Sequence, residues 1–198
     1  MMEVQPIKNK NDILDIEDYL KSKNERNYII FLVGICTGYR AGDLIELKVR
    51  DVKKALFYGK FEILENKKVR NPKTKAENKI PRPAEIQKPL AKILKEYIKD
   101  KKDYEYMFQS RNGVNRPIRV SSLGRILREA GKYFELDHIA THSMRKTYAY
   151  SIYKNSDHNL FLVKKALGHS NVEDTERYIG VDREECKKYT EMMSEFIR

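Results

Sequence analysis

His142-Ser-Met-Arg145, in the last third of the chain, is followed by Leu167-Gly-His169 and then by Tyr178. The histidine and the arginine of the first motif are three residues apart, so on a helix they share one face and can converge on one phosphate. The glycine of the second motif allows a sharp turn after a helix, which lets its histidine act as a hydrogen-bond donor. The tyrosine follows that histidine by nine residues. The stretch therefore predicts helices that bring two imidazoles, a guanidinium and a phenol together for phosphate chemistry.

Two further basic side chains lie upstream. Arg40 stands in Thr37-Gly-Tyr-Arg40-Ala-Gly-Asp43, at the predicted start of a helix, where Asp43 one turn later can orient it. By itself this motif is better explained as a surface ion pair. Lys73 lies in a predicted basic hairpin, eight residues before a proline, and a lysine there can donate a proton to a leaving oxygen. Lys75 competes for this assignment, and a solvated basic turn is the simpler explanation of both.

In this order, six residues resemble the catalytic set of the tyrosine recombinase (phage integrase) family: Arg40, Lys73, His142, Arg145, His169 and Tyr178. The resemblance implies a DNA strand-exchange enzyme that needs no metal and no cofactor. It implies that the tyrosine is the nucleophile and that the two arginines and the second histidine stabilise the phosphate. The lysine would protonate the leaving 5′-oxygen, and the first histidine would accept or relay the tyrosine proton. Many family members place a histidine directly after the second arginine, whereas this chain has Lys146.

The charge of the chain favours a polyanionic partner. The net charge is +11 and the pI is about 9.4. Residues 67–82 contribute +6 and residues 111–128 contribute +5, which together equal the whole excess. We predict that these two segments bind DNA through Lys67, Lys68, Arg70, Lys75, Lys79, Arg82, Arg111, Arg116, Arg119, Arg125 and Arg128. The alternative, basic loops that serve solubility alone, is equally compatible with the charge pattern.

The apolar pattern predicts an α+β fold: a mostly helical single domain with a small antiparallel β-sheet, like the catalytic domain of a tyrosine recombinase. Helices are predicted over residues 12–23, 26–36, 41–47, 86–98, 121–134, 142–153, 159–167 and 172–177, and from residue 182 onwards. Ser121 is the expected N-cap of its helix. Phe57, Tyr58, Phe61 and Ile63 indicate strands between residues 55 and 82.

The expected organisation is an N-terminal helical extension of the same domain over residues 1–25, a catalytic domain over 26–180 and a C-terminal helix over 181–198. That last helix either packs in cis or is exchanged between protomers. Typical relatives carry a separate helical domain before the catalytic one, and Arg40 comes too early to leave room for it. The chain therefore resembles a short member of the family, or the catalytic half of a longer one.

The expected partners are double-stranded DNA, further copies of the chain in a dimer or tetramer on DNA, and accessory DNA-bending proteins, with no membrane. The longest apolar run is too short to span a bilayer, and the N-terminus does not resemble a secretory signal. With only Cys36 and Cys186, we expect reduced thiols in a cytoplasmic protein of prokaryotic, phage or mobile-element origin. Two alternatives stay open: a type IB topoisomerase, and a DNA-binding regulator that does not cut.

Overall fold

The structure is a computed structural model that describes residues 4–65, 81–169 and 171–179. Helices dominate these residues, and a single two-stranded antiparallel sheet accompanies them there. The helices are α1 (Lys10–Lys23), α2 (Glu25–Thr37), α3 (Ala41–Leu44), α4 (Val49–Tyr58), α5 (Lys88–Tyr97), α6 (Val120–Tyr133), α7 (Thr141–Asn155), α8 (Leu160–Leu167) and α9 (Glu173–Ile179). The strands are β1 (Lys60–Ile63) and β2 (Arg82–Glu85). The predicted α+β architecture is confirmed.

The main core surrounds α2. Helix α1 packs against it through Ile16 and Leu20, both fully buried, as expected for apolar residues one helical turn apart. Helix α7 packs on α2 so closely that a Cβ on Gly34 would lie 2.5 Å from the sulfur of Met144. Gly38 ends α2 in the left-handed conformation, with φ of 64°, and turns the chain towards Arg40.

A second, smaller cluster fixes the last helices in place. Ala149 of α7, Val163 and Leu167 of α8 and Ile179 of α9 are each at most 1% exposed and pack together. Partly buried Tyr178 packs against the same cluster. Burial of these aliphatic side chains therefore sets where the loop after α8 and the helix α9 lie relative to α7.

Three sequence predictions are wrong in detail. Residues 49–58 form helix α4, whereas Phe57 and Tyr58 were expected in strands, and both are exposed, at 83% and 62%. Their aromatic character suggested a strand, but the buried face of Val49, Val52 and Ala55 has helical spacing. The helix expected over residues 41–47 ends at residue 44, and Ser121 lies inside α6, whose N-cap is position 119.

The sheet is short, and one of its two faces is buried. Strand β1 pairs with β2 from Lys60 opposite Glu85 to Ile63 opposite Arg82. Phe61 and Ala84, which are directly paired, face the core. Among the helices of the described residues, none is both long enough and apolar enough to cross a membrane.

Candidate active site

Five of the six predicted catalytic residues lie in described parts of the chain, and their side chains converge at one site. Arg40 is the N-cap of α3, and His142 and Arg145 lie on the first two turns of α7. His169 follows the left-handed Gly168 at the end of α8, and Tyr178 lies on α9. The sixth, the predicted hairpin lysine at position 73, is outside the described residues, so its role stays a prediction.

Arg145 is the most constrained of these side chains. Its guanidinium donates to the carbonyl of Gly38 at 2.7 Å and to the carbonyl of Leu167 at 2.8 Å, and the side chain is 1% exposed. The hydroxyl of Ser143 accepts from the backbone N–H of Ala140 at 3.0 Å, which closes the first turn of α7 beneath it. Arg145 therefore joins the ends of α2 and α8 to α7.

Glu65, which the sequence analysis did not identify, lies among the arginines. Its Oε2 is 2.5 Å from Nη1 of Arg40, and its Oε1 is 2.7 Å from Nη1 of Arg145. The same Oε1 is 3.6 Å from Nε of Arg82. Burial raises the pKa of the Glu65 carboxyl, but the three guanidinium groups outweigh it and hold that pKa below its ordinary value. Glu65 thus supplies a buried carboxylate in contact with Arg40. The orienting role that the sequence predicts for Asp43, which is 5% exposed, stays a prediction.

The predicted DNA contact at Arg82 is wrong. Its side chain is 4% exposed, and its guanidinium donates to the carbonyls of Thr37 and Ala166, both at 2.9 Å. It also lies 3.9 Å from the centre of the Tyr39 ring. The two-residue period of β2 explains this burial, because Arg82 points to the same side as the core residue Ala84. Arg82 links the ends of α2 and α8 inside the protein.

The other predicted DNA contacts divide into two groups. The lysines and arginine at positions 67, 68, 70, 75 and 79 are outside the described residues. The arginines at positions 111, 116, 119, 125 and 128 are exposed, on the loop before α6 and on α6 itself. An open cleft of about 980 Å³ adjoins the site and is lined by Arg40, His142, Lys54, Lys60 and Val120, among others. Carboxylates, among them Asp43, Glu46 and Asp51, also line this cleft, so its lining carries charges of both signs.

Tyr178 and His142 are in direct contact. The phenol oxygen lies 3.0 Å from Nδ1 of His142. Burial raises the pKa of Tyr178 more than the neighbouring Arg145 and Arg40 lower it, so the phenol is protonated at neutral pH. Desolvation lowers the pKa of His142, and the nearby cations, including Lys146, lower it further. A neutral imidazole whose proton is on Nε2 accepts the hydrogen bond from the phenol at Nδ1, as a general base for a tyrosine nucleophile must do.

We predict a pH dependence from this pair. Because desolvation and the nearby cations hold the pKa of His142 below its ordinary value of 6.5, the rate of reaction by Tyr178 should fall as the imidazole gains a proton, with a midpoint below pH 6.5. The test is the rate of tyrosyl–DNA bond formation between pH 4.5 and 8 at subsaturating DNA, which reports the pKa of the free protein. His142→Asn should lose this decline together with most of the rate. His138→Asn, at an exposed position with φ of 60°, is the matched control. A midpoint above pH 6.5 would contradict the assignment.

His169 is held by a buried threonine. Its ring centre lies 5.3 Å from that of Tyr178, and its Nδ1 lies 3.1 Å from Oγ1 of Thr175, which is fully buried. The hydroxyl has one proton, and the alternative acceptor for it, the carbonyl of Asn171, is farther away at 3.5 Å. A hydroxyl that donates to Nδ1 leaves the imidazole proton on Nε2, the tautomer that can donate to a phosphate oxygen. Desolvation and the adjacent arginines lower the pKa of His169 to about 4, so this neutral form is present at neutral pH.

Loss of the Thr175 hydroxyl should therefore slow the reaction without dismantling the site. Thr175→Val keeps the shape of the side chain, and we expect about a tenfold lower rate of bond formation, which corresponds to one hydrogen bond of ordinary strength. Thr175→Ser, which keeps the hydroxyl, should restore the rate. Single-turnover kinetics on the three proteins make the comparison, and a valine variant as fast as the parent would show that Thr175 does not orient His169.

Comparisons with known proteins place this geometry in a family. The model of the phage integrase family matches residues 7–185. The probable integrase/recombinase YoeC of Bacillus subtilis (strain 168) is 35% identical over 181 residues, covering 91% of this chain and 92% of that protein. This level of identity over nearly the whole of both chains extends well beyond the six motif residues.

Solved recombinases share the fold. XerA recombinase superposes with a TM-score of 0.68 at 22% identity, over 100% of this chain and 66% of that one. The Tn1549 transposon integrase in complex with circular intermediate DNA gives a TM-score of 0.69 at 17% identity, over 96% of this chain and 68% of that one. XerH bound to its difH substrate in a post-cleavage complex gives a TM-score of 0.64 at 16% identity, over 97% of this chain and 54% of that one. The chain thus spans between about half and two thirds of the length of these solved proteins.

The similarities favour an integrase or recombinase over the topoisomerase and regulator alternatives. The predicted fold and the predicted class of DNA breaking and rejoining enzyme are confirmed. Convergence of Arg40, His142, Arg145, His169 and Tyr178 agrees with both. The chain belongs to the phage integrase family, the tyrosine recombinases.

Proposed function

We propose that this chain is a site-specific DNA recombinase that cuts one strand with Tyr178 and rejoins it to another. The observation that carries this proposal is the contact between the Tyr178 phenol and Nδ1 of His142, at 3.0 Å, next to the guanidinium group of Arg145. An acceptor for the phenolic proton and cations for the phosphate thus surround one potential nucleophile. Phosphoryl transfer without a metal ion requires these three kinds of group: a nucleophile, a proton acceptor and cations.

In the cleavage step, the Tyr178 oxygen forms a bond to the scissile phosphorus as the bond from phosphorus to the 5′-oxygen breaks. The phenolic proton passes to His142, and the departing 5′-oxygen takes a proton from Lys73. The products are a 3′-phosphotyrosyl bond and a free 5′-hydroxyl. Arg40, Arg145 and the Nε2 proton of His169 stabilise charge on the nonbridging oxygens. Attack by a 5′-hydroxyl from another strand reverses these bond changes and completes the exchange.

The substrate in this proposal is double-stranded DNA. Its backbone would contact the exposed arginines of the loop before α6 and of α6, together with the basic residues between positions 67 and 79. Strand exchange needs several active sites at once, so we propose that the chain assembles as a dimer or tetramer on DNA. Accessory DNA-bending proteins and a cytoplasmic location complete the proposal.

The test uses a library of nicked duplexes of random sequence. A nick beside the cleavage point lets the short 5′-hydroxyl fragment diffuse away, which traps the protein on the DNA. We expect SDS-resistant adducts in EDTA without ATP, and sequencing of the trapped DNA should recover one enriched sequence. Adducts without sequence enrichment would favour topoisomerase-like action. Retention of DNA without any adduct would refute the proposed cutting activity.

A further inference from the structure

The carboxylate of Glu65 lies at the centre of the arginine cluster, outside the set of residues that the sequence predicts to be catalytic. It contacts Nη1 of Arg40 through one oxygen and Nη1 of Arg145 through the other. One carboxylate therefore spans the two arginines that the proposed mechanism places on the scissile phosphate. Arg82 approaches the second oxygen from within the core.

The burial of these groups shows on which side of Arg40 the carboxylate lies. Glu65 is 1% exposed, whereas Arg40 keeps 24% of its side chain exposed. The guanidinium of Arg40 thus extends from a buried anion towards solvent, where DNA arrives. Nε of Arg145 is buried and has no hydrogen-bond partner among the residues that the structure describes. Glu65 therefore does not occupy every donor of the two arginines.

The charge of the cluster matches the reaction. Three guanidinium groups so close together repel one another, and one ionised carboxylate among them lowers that repulsion. The cluster keeps a net charge of +2, since the three cations outnumber the single anion by two. Attack of a tyrosyl oxygen on a phosphodiester develops about two negative charges at the phosphorus. A cluster of this charge favours the transition state over the singly charged substrate.

We propose that Glu65 is a positioning residue for the cleavage reaction, which holds Arg40 and Arg145 at the spacing in which both bind the same phosphate. The inference rests on the proposed function, because it assigns a role in that reaction. Glu65 acts through the arginines and does not touch the DNA. Its removal should impair the chemical step more than DNA binding, since binding also uses the exposed arginines.

The experiment compares Glu65→Gln, Glu65→Asp and the parent protein. Glutamine keeps the shape but not the charge, and aspartate keeps the charge but is too short to span both arginines. The matched control is Glu62→Gln, three residues earlier on β1, which is half exposed and paired only with Lys60 among the described ion pairs. Cleavage is measured in single turnover at saturating DNA, DNA binding is measured in a Tyr178→Phe background, and thermal unfolding reports folding.

For Glu65→Gln we expect cleavage at saturating DNA to fall by about 100-fold, with the DNA dissociation constant within about threefold of the parent value. Glu65→Asp should recover part of the rate, and Glu62→Gln should match the parent. Equal losses of binding and cleavage, or a folded Glu65→Gln protein that cleaves at the parent rate, would overturn the inference. If glutamine prevents folding, Glu65→Asp decides: a loss of tenfold or more supports positioning, and parent-like cleavage refutes it. A parent protein that forms no adduct would instead refute the proposed function.

Discussion

Tyr178→Phe is expected to abolish the covalent protein–DNA adduct, with a loss on the order of 10⁴-fold or more in the rate of its formation. The substitution removes only the phenol oxygen that contacts His142. The ring can keep its packing against the cluster of Ala149, Val163, Leu167 and Ile179, so the fold and DNA binding should persist. Single-turnover reactions on a nicked duplex, resolved on denaturing gels, measure the effect.

The matched control is Tyr150→Phe. Tyr150 lies on α7, packs against the same small cluster, and has its ring 5.6 Å from Nζ of Lys8, away from the proposed nucleophile. Its phenylalanine variant should form adducts at the parent rate. Persistence of the adduct in Tyr178→Phe, or its loss in Tyr150→Phe alone, would mean that the nucleophile has been assigned to the wrong residue.

Arg145→Lys is expected to reduce cleavage by about 10³-fold to 10⁵-fold, the range seen when an arginine that stabilises a phosphoryl-transfer transition state is removed. The guanidinium fork holds two backbone carbonyls and Glu65 simultaneously, which a lysine ammonium cannot do with the same geometry. Because the group is buried, we also expect a lower unfolding temperature.

Cleavage by this variant must be measured at a temperature where thermal unfolding shows it to be folded. Arg50→Lys is the control, since Arg50 is 63% exposed on α4 and its described ion pair is with the neighbouring Asp51. That control should change cleavage little. A folded Arg145→Lys protein within tenfold of the parent rate would show that this guanidinium does not stabilise the reacting phosphate.

Spacing along the sequence predicted those relations in the site that involve residues only a few positions apart. His142 and Arg145 share a face of α7 because they are three residues apart on a helix, and His169 follows the turn that Gly168 makes. Each of these relations is decided within a few residues of chain. The helices themselves followed from apolar periodicity in the same way.

Glu65 was missed because nothing local marks it. Its partners are 25 and 80 residues away in sequence, and a single acid next to a basic segment looks like a surface residue. Its burial depends on how the residues after β1 meet Arg40, Arg82 and Arg145, which a single sequence does not display. Arg82 was predicted to contact DNA from its charge alone. Its spacing of two residues from Ala84 along β2 places both side chains on the same, buried face.

Helix α4 shows a different error, because part of it was predicted to be a strand. Phe57 and Tyr58 have the aromatic side chains typical of strands, yet they lie on the exposed side of a helix whose other face buries Val49, Val52 and Ala55. Strand propensity reflects packing on a half-buried sheet surface, and these two rings have no such surface beside them. The helical period of the small apolar residues was the stronger signal.

The central claim is that Tyr178 attacks the scissile phosphorus and stays bonded to the 3′ side of the break. Peptide mass spectrometry of the trapped adduct, after digestion of both protein and DNA, tests it most directly. We expect the nucleotide on the peptide that contains Tyr178, joined through a 3′-phosphate, with a free 5′-hydroxyl on the released strand. A nucleotide on any other residue, or one joined through a 5′-phosphate, would contradict the account.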